Sequence, residues 1–224
     1  MPFPPKPHTP STVEDVTVGE AALPGQLTIP ADPVGLILFA HGSGSSRLSV
    51  RNRAVASTLV AAGFATLLFD LLTDAEAEVR ANVFDIPLLA SRLRDAALWA
   101  TRDPRLADLP LGYFGASTGA AAALAAAAAG PPPVAAIVSR GGRPDLAGDA
   151  LPHVHVPTLL IVGEADREVL ALNRAAADRL GGPWRLVTVP GATHLFEEPG
   201  ALDHVASLAA GWFVRHLAPA GAER

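Results

Sequence analysis

Cysteine is absent from this chain, which excludes disulfides and thiolate metal sites, although it does not identify the redox compartment. An excess of positive charge is missing as well. The formal net charge is −5, so composition gives no electrostatic basis for binding nucleic acid or an anionic membrane. Long apolar runs are lacking: the longest, Ala120 to Ala129, is ten residues, short of the ~20 needed to span a bilayer. Residues Met1 to Pro7 have no apolar core of the kind a secretory signal requires, so a cytoplasmic location is expected. Neither an internal repeat nor an interdomain linker is visible. What remains is a chain of 224 residues, half of them hydrophobic, suited to one domain with a large core.

The sequence reads as a proline-rich arm over 1–12, a single domain over 13–217 and a short tail over 218–224. Val13 to Val18 and Gln26 to Ile29 are expected as edge or antiparallel strands, with a turn at Leu23-Pro24-Gly25 between them. Thereafter strands and helices alternate. Apolar runs centred on Ile37, Leu67, Tyr113, Ile137, Leu160 and Val187 are nearly continuous, as parallel strands covered on both faces should be.

Helix signals fill the intervals. Ser49 is placed to cap one helix that carries Val55 and Leu59 inward and stops at Gly63. Asp85 with Pro87 opens another, with Leu89, Leu93 and Ala96 facing the core. A third holds Leu124 and ends at Gly130-Pro131. In the last, Val205, Leu208, Ala209 and Trp212 form the expected packing face. The stretch from Ser139 to Pro157 is short, which predicts an open site without a helical cap.

The chemistry concentrates at strand ends. Gly115-Ala116-Ser117-Thr118-Gly119 is a G-x-S-x-G between an apolar strand and an alanine-rich helix. There the glycines leave room for a sharp turn that exposes a serine hydroxyl. A serine needs a base and a group to orient it. Asp166 follows the Leu160 strand and His194 follows the Val187 strand, so the order is Ser, Asp, His. Helix capping is the competing role for Ser117 and Asp166, and Glu164 is a competing carboxylate. The backbone amides of Ser43, in the loop His41-Gly42-Ser43-Gly44, and of Thr118 are the expected oxyanion donors, with Gly44 as the fallback for Ser43. His41 is expected to brace that loop, and Asp70 to be structural or pocket-lining. His8, His204 and His216 read as surface groups. His153-Val154-His155 has metal-pair spacing but no companion ligands, so it reads as a strand entrance.

Taken together, the His41-Gly42 loop, the 115–119 elbow, Asp166 and His194 resemble the dienelactone hydrolase-like group of the α/β-hydrolases, over about Val13 to Phe213. The resemblance implies a mostly parallel central sheet flanked by helices, with no large lid domain. It also implies a serine hydrolase of small carboxylic esters working through Ser117, Asp166 and His194 without metal or cofactor. The cysteine nucleophile of the dienelactone hydrolases themselves is replaced by Ser117, which points to serine esterases of the same fold. Thioesterase, lactonase and peptidase use the same machinery, and a non-catalytic module of this fold is the alternative of a different class. The partner expected is a small ester, with no nucleic acid and no membrane; oligomeric state is left open. Lys6 is the only lysine, and Arg47, Arg51, Arg53, Arg140 and Arg143 cluster near the expected catalytic edge. Of these, Arg47 and Arg140 are candidates for binding an anionic part of the substrate, with salt bridges to neighbouring carboxylates as the competing role.

Overall fold

A computed structural model describes residues 11–217; the expected arm before Ser11, including Lys6 and His8, and the tail over 218–224 lie outside the described residues. The order of elements explains where a site can form. Eight strands make one sheet in the order β1-β2-β4-β3-β5-β6-β7-β8, spanning Ser11–Val18, Leu23–Pro30, Leu36–Ala40, Ala65–Phe69, Leu111–Ala116, Ala136–Arg140, Thr158–Gly163 and Trp184–Val189 for β1 through β8. The pairs β1/β2 and β2/β4 are antiparallel, and the others are parallel. From β3 the chain leaves to one side of the sheet, and from β5 to the other. Their carboxyl ends therefore flank a crevice, the place where open α/β sheets bind ligands.

Helices cover both faces. Helices α1 (Val50–Ala61) and α7 (Ala201–Leu217) pack on one face around Phe39, Phe114 and Phe213. Against the other lie α4 (Ile86–Ala100), α5 (Thr118–Ala128), α6 (Arg167–Ala177) and a 3₁₀ segment over Pro144–His153. Side chains alternate between these two cores along each strand: Phe39 and Ile37 enter the first, Leu36 and Leu38 the second. The caps expected from sequence are formed. Ser49 accepts from the Asn52 amide at 3.3 Å, Asp85 accepts from Leu88 at 3.0 Å, and Gly63 and Gly130 adopt positive φ at helix ends.

Several local expectations are corrected. The first turn is Gly19 to Ala22, not Leu23-Pro24-Gly25; those three residues pair with Val18, Thr17 and Val16 inside β2. Positive φ at Gly19 and Ala22 makes the tighter turn, and alternate residues of β2 then face the core. Ser11 and Thr12, read as arm, pair with Pro30 and Ile29 in β1. Strand β8 is an edge with only Val189 fully buried, so covering is one-sided there. On α7 the packing face is Val205, Ala206, Ala209 and Phe213, while Leu208 and Trp212 sit half-buried at its margin. His216 is half-buried too, its ring tilted by 56° against that of Trp212 with centroids 4.4 Å apart. His153 and His155 flank the end of the 3₁₀ segment and do not enter a strand, since β7 begins at Thr158.

Two one-turn helices, α2 (Asp74–Ala77) and α3 (Arg80–Val83), precede α4 and escaped the sequence pattern because neither buries a residue. They are held instead by polar contacts. Thr73 and Glu76 form a reciprocal capping box, and Arg92 bonds to Glu76 at 2.7 Å.

Candidate active site

The elbow follows from close packing of backbone. Ser117 adopts φ 51° and ψ −121°, a strained conformation for a residue with a Cβ. It is tolerated because both neighbours' glycines are irreplaceable: a Cβ on Gly115 would lie 2.4 Å from Ala120 Cα, and one on Gly119 would lie 2.1 Å from the Ala40 carbonyl oxygen. Gly119→Ala is therefore expected to cost ~3 kcal/mol or more, because backbone cannot yield as a side chain does. By contrast Gly211→Ala, on α7 with nothing within 4 Å of the added methyl, should stabilise by ~0.5–1 kcal/mol. Urea unfolding of the two variants beside the parent protein checks both signs.

Ser117 starts α5 without capping it, since its side chain accepts no helix amide. The residue stays partly exposed. Asp166 likewise precedes α6 without a side-chain cap; its Oδ2 lies 2.6 Å from His194 Nδ1. The carboxylate is mostly buried and the imidazole about two-fifths exposed. Nδ1 is thus engaged, and Nε2 has no partner among the described residues. Ser117 and His194 meet the same short segment: the Ser117 amide donates to the Arg140 carbonyl at 3.3 Å, and a Cβ on Gly141 would lie 3.6 Å from His194 Cε1. A direct Ser117 to His194 hydrogen bond is not formed among the described residues, as is common where no substrate tightens the geometry. Glu164, the competing carboxylate, accepts from the Gly191 amide at 2.9 Å and so secures the loop that carries His194.

His41 braces the neighbouring loop. Its Nε2 accepts from the Leu71 amide at 3.1 Å, and Nδ1 lies 3.0 Å from the Gly42 carbonyl, which fixes a neutral tautomer donating from Nδ1. Burial pushes its pKa below the ordinary imidazole value. Gly42 lies close to the nucleophile: a Cβ there would fall 2.9 Å from Ser117 Cβ.

The expected oxyanion arrangement is changed in one respect. The Ser43 amide donates to Thr118 Oγ1 at 2.9 Å, across 75 residues, so the Thr118 side chain occupies the acceptor position of that donor. The backbone amides of Thr118 and Gly44 have no acceptor among the described residues. Sequence inspection had no means of finding this bond, which depends on how two loops meet.

The arginines separate by partner. Arg47, a candidate for the substrate, is bonded to Asp70 instead: its amide donates at 2.6 Å and its Nη1 pairs with Oδ2. Arg143 pairs with Asp145 at 2.7 Å. Arg140, at the end of β6, is buried, and its Nη1 has no partner. Burial, with Arg51 nearby, lowers its pKa to about 10.

A cavity of about 180 Å³ opens beside the elbow on the α4 and α5 face. Gly42, Thr118, Leu72, Ala77, Val83 and Leu89 are among its walls, so α2 and α3 contribute to it. Ser117 adjoins this cavity through Thr118 and Gly42, and neither Ser117 nor His194 lines it. Among the described residues no group of three or more His, Asp or Glu side chains is disposed to hold a metal ion, and no helix is long and apolar enough to cross a membrane.

Comparison with known proteins decides the family: the model of the alpha/beta hydrolase family matches residues 3–205. The chain belongs to the α/β hydrolase family. It is dienelactone hydrolase-like, as the motifs suggested. A dienelactone hydrolase from Anabaena variabilis is 56% identical, with a TM-score of 0.88, over 94% of this chain and 100% of that one. The esterase domain of a Rhodothermus marinus protein is 20% identical with a TM-score of 0.73, covering 92% of this chain and 99% of its own, and shares the fold. A Mycobacterium tuberculosis protein, provisionally named a phosphoribosyl transferase, is 60% identical over 206 residues, 92% of this chain and 46% of that protein. The chain spans about half the length of the curated relatives it matches.

Proposed function

We propose that this α/β-hydrolase is a serine hydrolase that cleaves small carboxylic esters through an acyl-enzyme on Ser117. One observation carries the reading: Asp166 holds His194 Nδ1 at 2.6 Å, beside a serine whose strained backbone presents its hydroxyl at the sheet's carboxyl edge. In the reaction, His194 Nε2 takes the Ser117 proton as Oγ attacks the ester carbonyl. The resulting oxyanion is held by backbone amides, that of Thr118 and one from the 42–44 loop. His194 then protonates the leaving alkoxide, and water repeats the cycle to release the acid. Asp166 keeps the proton on Nδ1 and stabilises the imidazolium.

The Anabaena variabilis relative's name supports ester or lactone cleavage, although the dienelactone hydrolases' cysteine is Ser117 here. The transferase name belongs to a protein about twice as long, and the elbow, acid and imidazole need no phosphoribosyl donor. The modest cavity suits a short acyl group. A cytoplasmic location is part of the same proposal. Turnover of p-nitrophenyl esters, lactones and acyl-thioesters, run beside Ser117→Ala, tests the reading; no serine-dependent turnover of any of them would refute it.

Thr118 adds a further expectation. Its hydroxyl fixes the 42–44 loop against the elbow through the Ser43 amide, which keeps the neighbouring Gly44 amide, without an acceptor among the described residues, in place for an oxyanion. Thr118→Val should lower kcat by about tenfold, the worth of one net hydrogen bond, with KM little changed. Thr118→Ser should restore it. Steady-state kinetics on one ester suffices to compare the three.

A further inference from the structure

The cavity beside the elbow is assembled from two unlike parts. Its mouth is backbone: Gly42, Gly44 and Thr118 line it, and the Gly44 and Thr118 amides have no acceptor among the described residues. An ester carbonyl held by those amides sits at this mouth. Because His194 delivers its proton to the leaving oxygen and does not line the cavity, the alcohol departs on the other side and the acyl chain enters.

The inner walls belong to two different kinds of structure. Leu72, just past β4, and Leu89, in α4, are buried members of the core. The remaining wall is the α2–α3 segment, which contributes Asp74, Ala77 and Val83 although neither helix has a fully buried residue. Polar bonds hold this wall in place. Glu76 accepts from the Thr73 amide at 2.9 Å and from Arg92 of α4 at 2.7 Å, and Asn82 Nδ2 donates to the Glu76 carbonyl at 3.0 Å, tying α3 to α2. A wall fixed in this way keeps its shape without forming part of the core, so a change at Ala77 or Val83 reshapes the cavity first.

Volume and charge then set what fits. An apolar cavity of about 150 Å³ takes one benzene, so the 180 Å³ here holds about six carbons. No arginine or lysine is among the lining residues. His41 is neutral, since its Nε2 accepts from the Leu71 amide, and Asp70 is already bonded to Arg47. Asp74 has no cationic partner among the described residues. A carboxylate at the far end of an acyl chain would lose its water there and gain no counter-ion.

We infer that the α2–α3 segment is the acyl-specificity element of this hydrolase: Ala77 and Val83 close the cavity on chains of about six carbons, and Asp74 disfavours acyl groups ending in a carboxylate. The inference rests on the esterase reading above and narrows it to esters of short, uncharged acids.

The experiment compares the ethyl esters of acetate, butyrate and octanoate with monoethyl succinate. In the parent protein kcat/KM should rise by about fourfold per added methylene from acetate to butyrate, the worth of burying each one, and gain nothing more by octanoate. Monoethyl succinate should fall at least about tenfold below ethyl butyrate. Val83→Ala should raise the octanoate-to-butyrate ratio by about fourfold or more, whereas Ala77→Leu, at an exposed position that does not threaten folding, should lower the butyrate-to-acetate ratio by about tenfold. Asp74→Lys should raise the succinate-to-butyrate ratio by about threefold at low salt, and by less at high salt. Val13→Ala, exposed on the edge strand β1, should leave every ratio unchanged. Binding of the same esters to Ser117→Ala, followed by calorimetry, separates this inference from the esterase reading. Chain-length-dependent binding that Val83→Ala shifts, without turnover by the parent protein, sinks the esterase reading and keeps the specificity element. A gain per methylene that continues undiminished to octanoate, or ratios unmoved in both Val83→Ala and Ala77→Leu, overturns the chain-length role. Succinate cleaved as well as butyrate, or a succinate ratio unmoved by Asp74→Lys, overturns the role of Asp74.

Discussion

Ser117→Ala should reduce ester turnover by ~10⁶ and leave the fold intact. The magnitude follows from the mechanism: without Oγ no acyl-enzyme forms, and only the oxyanion donors and binding remain to favour attack by water. The residue lies on the surface side of the elbow, partly exposed, and its side chain accepts no helix amide, so truncation removes no packing or cap. Melting temperature should accordingly stay within a degree or two, or rise slightly. A fluorophosphonate probe provides the complementary readout. The parent protein should gain one adduct, localised to Ser117 by mass spectrometry of the peptide, and Ser117→Ala should gain none. An adduct elsewhere, or a parent protein that resists the probe while cleaving esters, would mean that another nucleophile does the work. No adduct and no cleavage would favour the binding-module alternative.

Asp166→Asn is expected to lower turnover by ~10⁴ while preserving the shape of the site. An asparagine amide presents N–H₂ or a neutral carbonyl to His194 Nδ1 in place of the carboxylate 2.6 Å away. It can favour the wrong tautomer, with the proton on Nε2, where it cannot accept from Ser117. It also withdraws the negative charge that stabilises the imidazolium. The loss should appear in kcat, with KM close to the parent value. Raising the pH should recover part of it where hydroxide takes over the role of base. By contrast Glu164→Gln, which leaves a carbonyl to accept from the Gly191 amide, should cost far less, since Glu164 secures the loop and does not touch the imidazole. Parallel kcat and KM measurements on the two variants distinguish a residue that acts on the base from one that holds its loop. Equal losses in both would contradict the assignment of the acid to Asp166.

Periodicity and punctuation were most informative where local chemistry decides the outcome. The strands around Ile37, Leu67, Tyr113, Ile137 and Leu160 are buried on both faces and their apolar runs show it; Ser49 and Asp85 cap their helices because an oxygen two or three residues before a free amide finds it without help from the rest of the chain. The β1/β2 turn was misplaced because Leu23-Pro24-Gly25 looks like a turn in isolation, while pairing across β1 turns it into strand. Helices α2 and α3 were missed because they bury nothing, and so leave no apolar rhythm to detect.

The sequence by itself determined the alternation of the principal strands and helices, the two glycines that make room for the elbow, and the Ser117, Asp166, His194 order, because each depends on residue size, backbone freedom or position at a strand end. Only the tertiary structure decided which polar groups meet. It joined Asp166 to His194, gave Arg47 to Asp70, set the Thr118 hydroxyl on the Ser43 amide and left Arg140 without a partner. Those pairings join segments up to 75 residues apart, and no local pattern encodes the few ångströms that separate a bonded guanidinium from a free one.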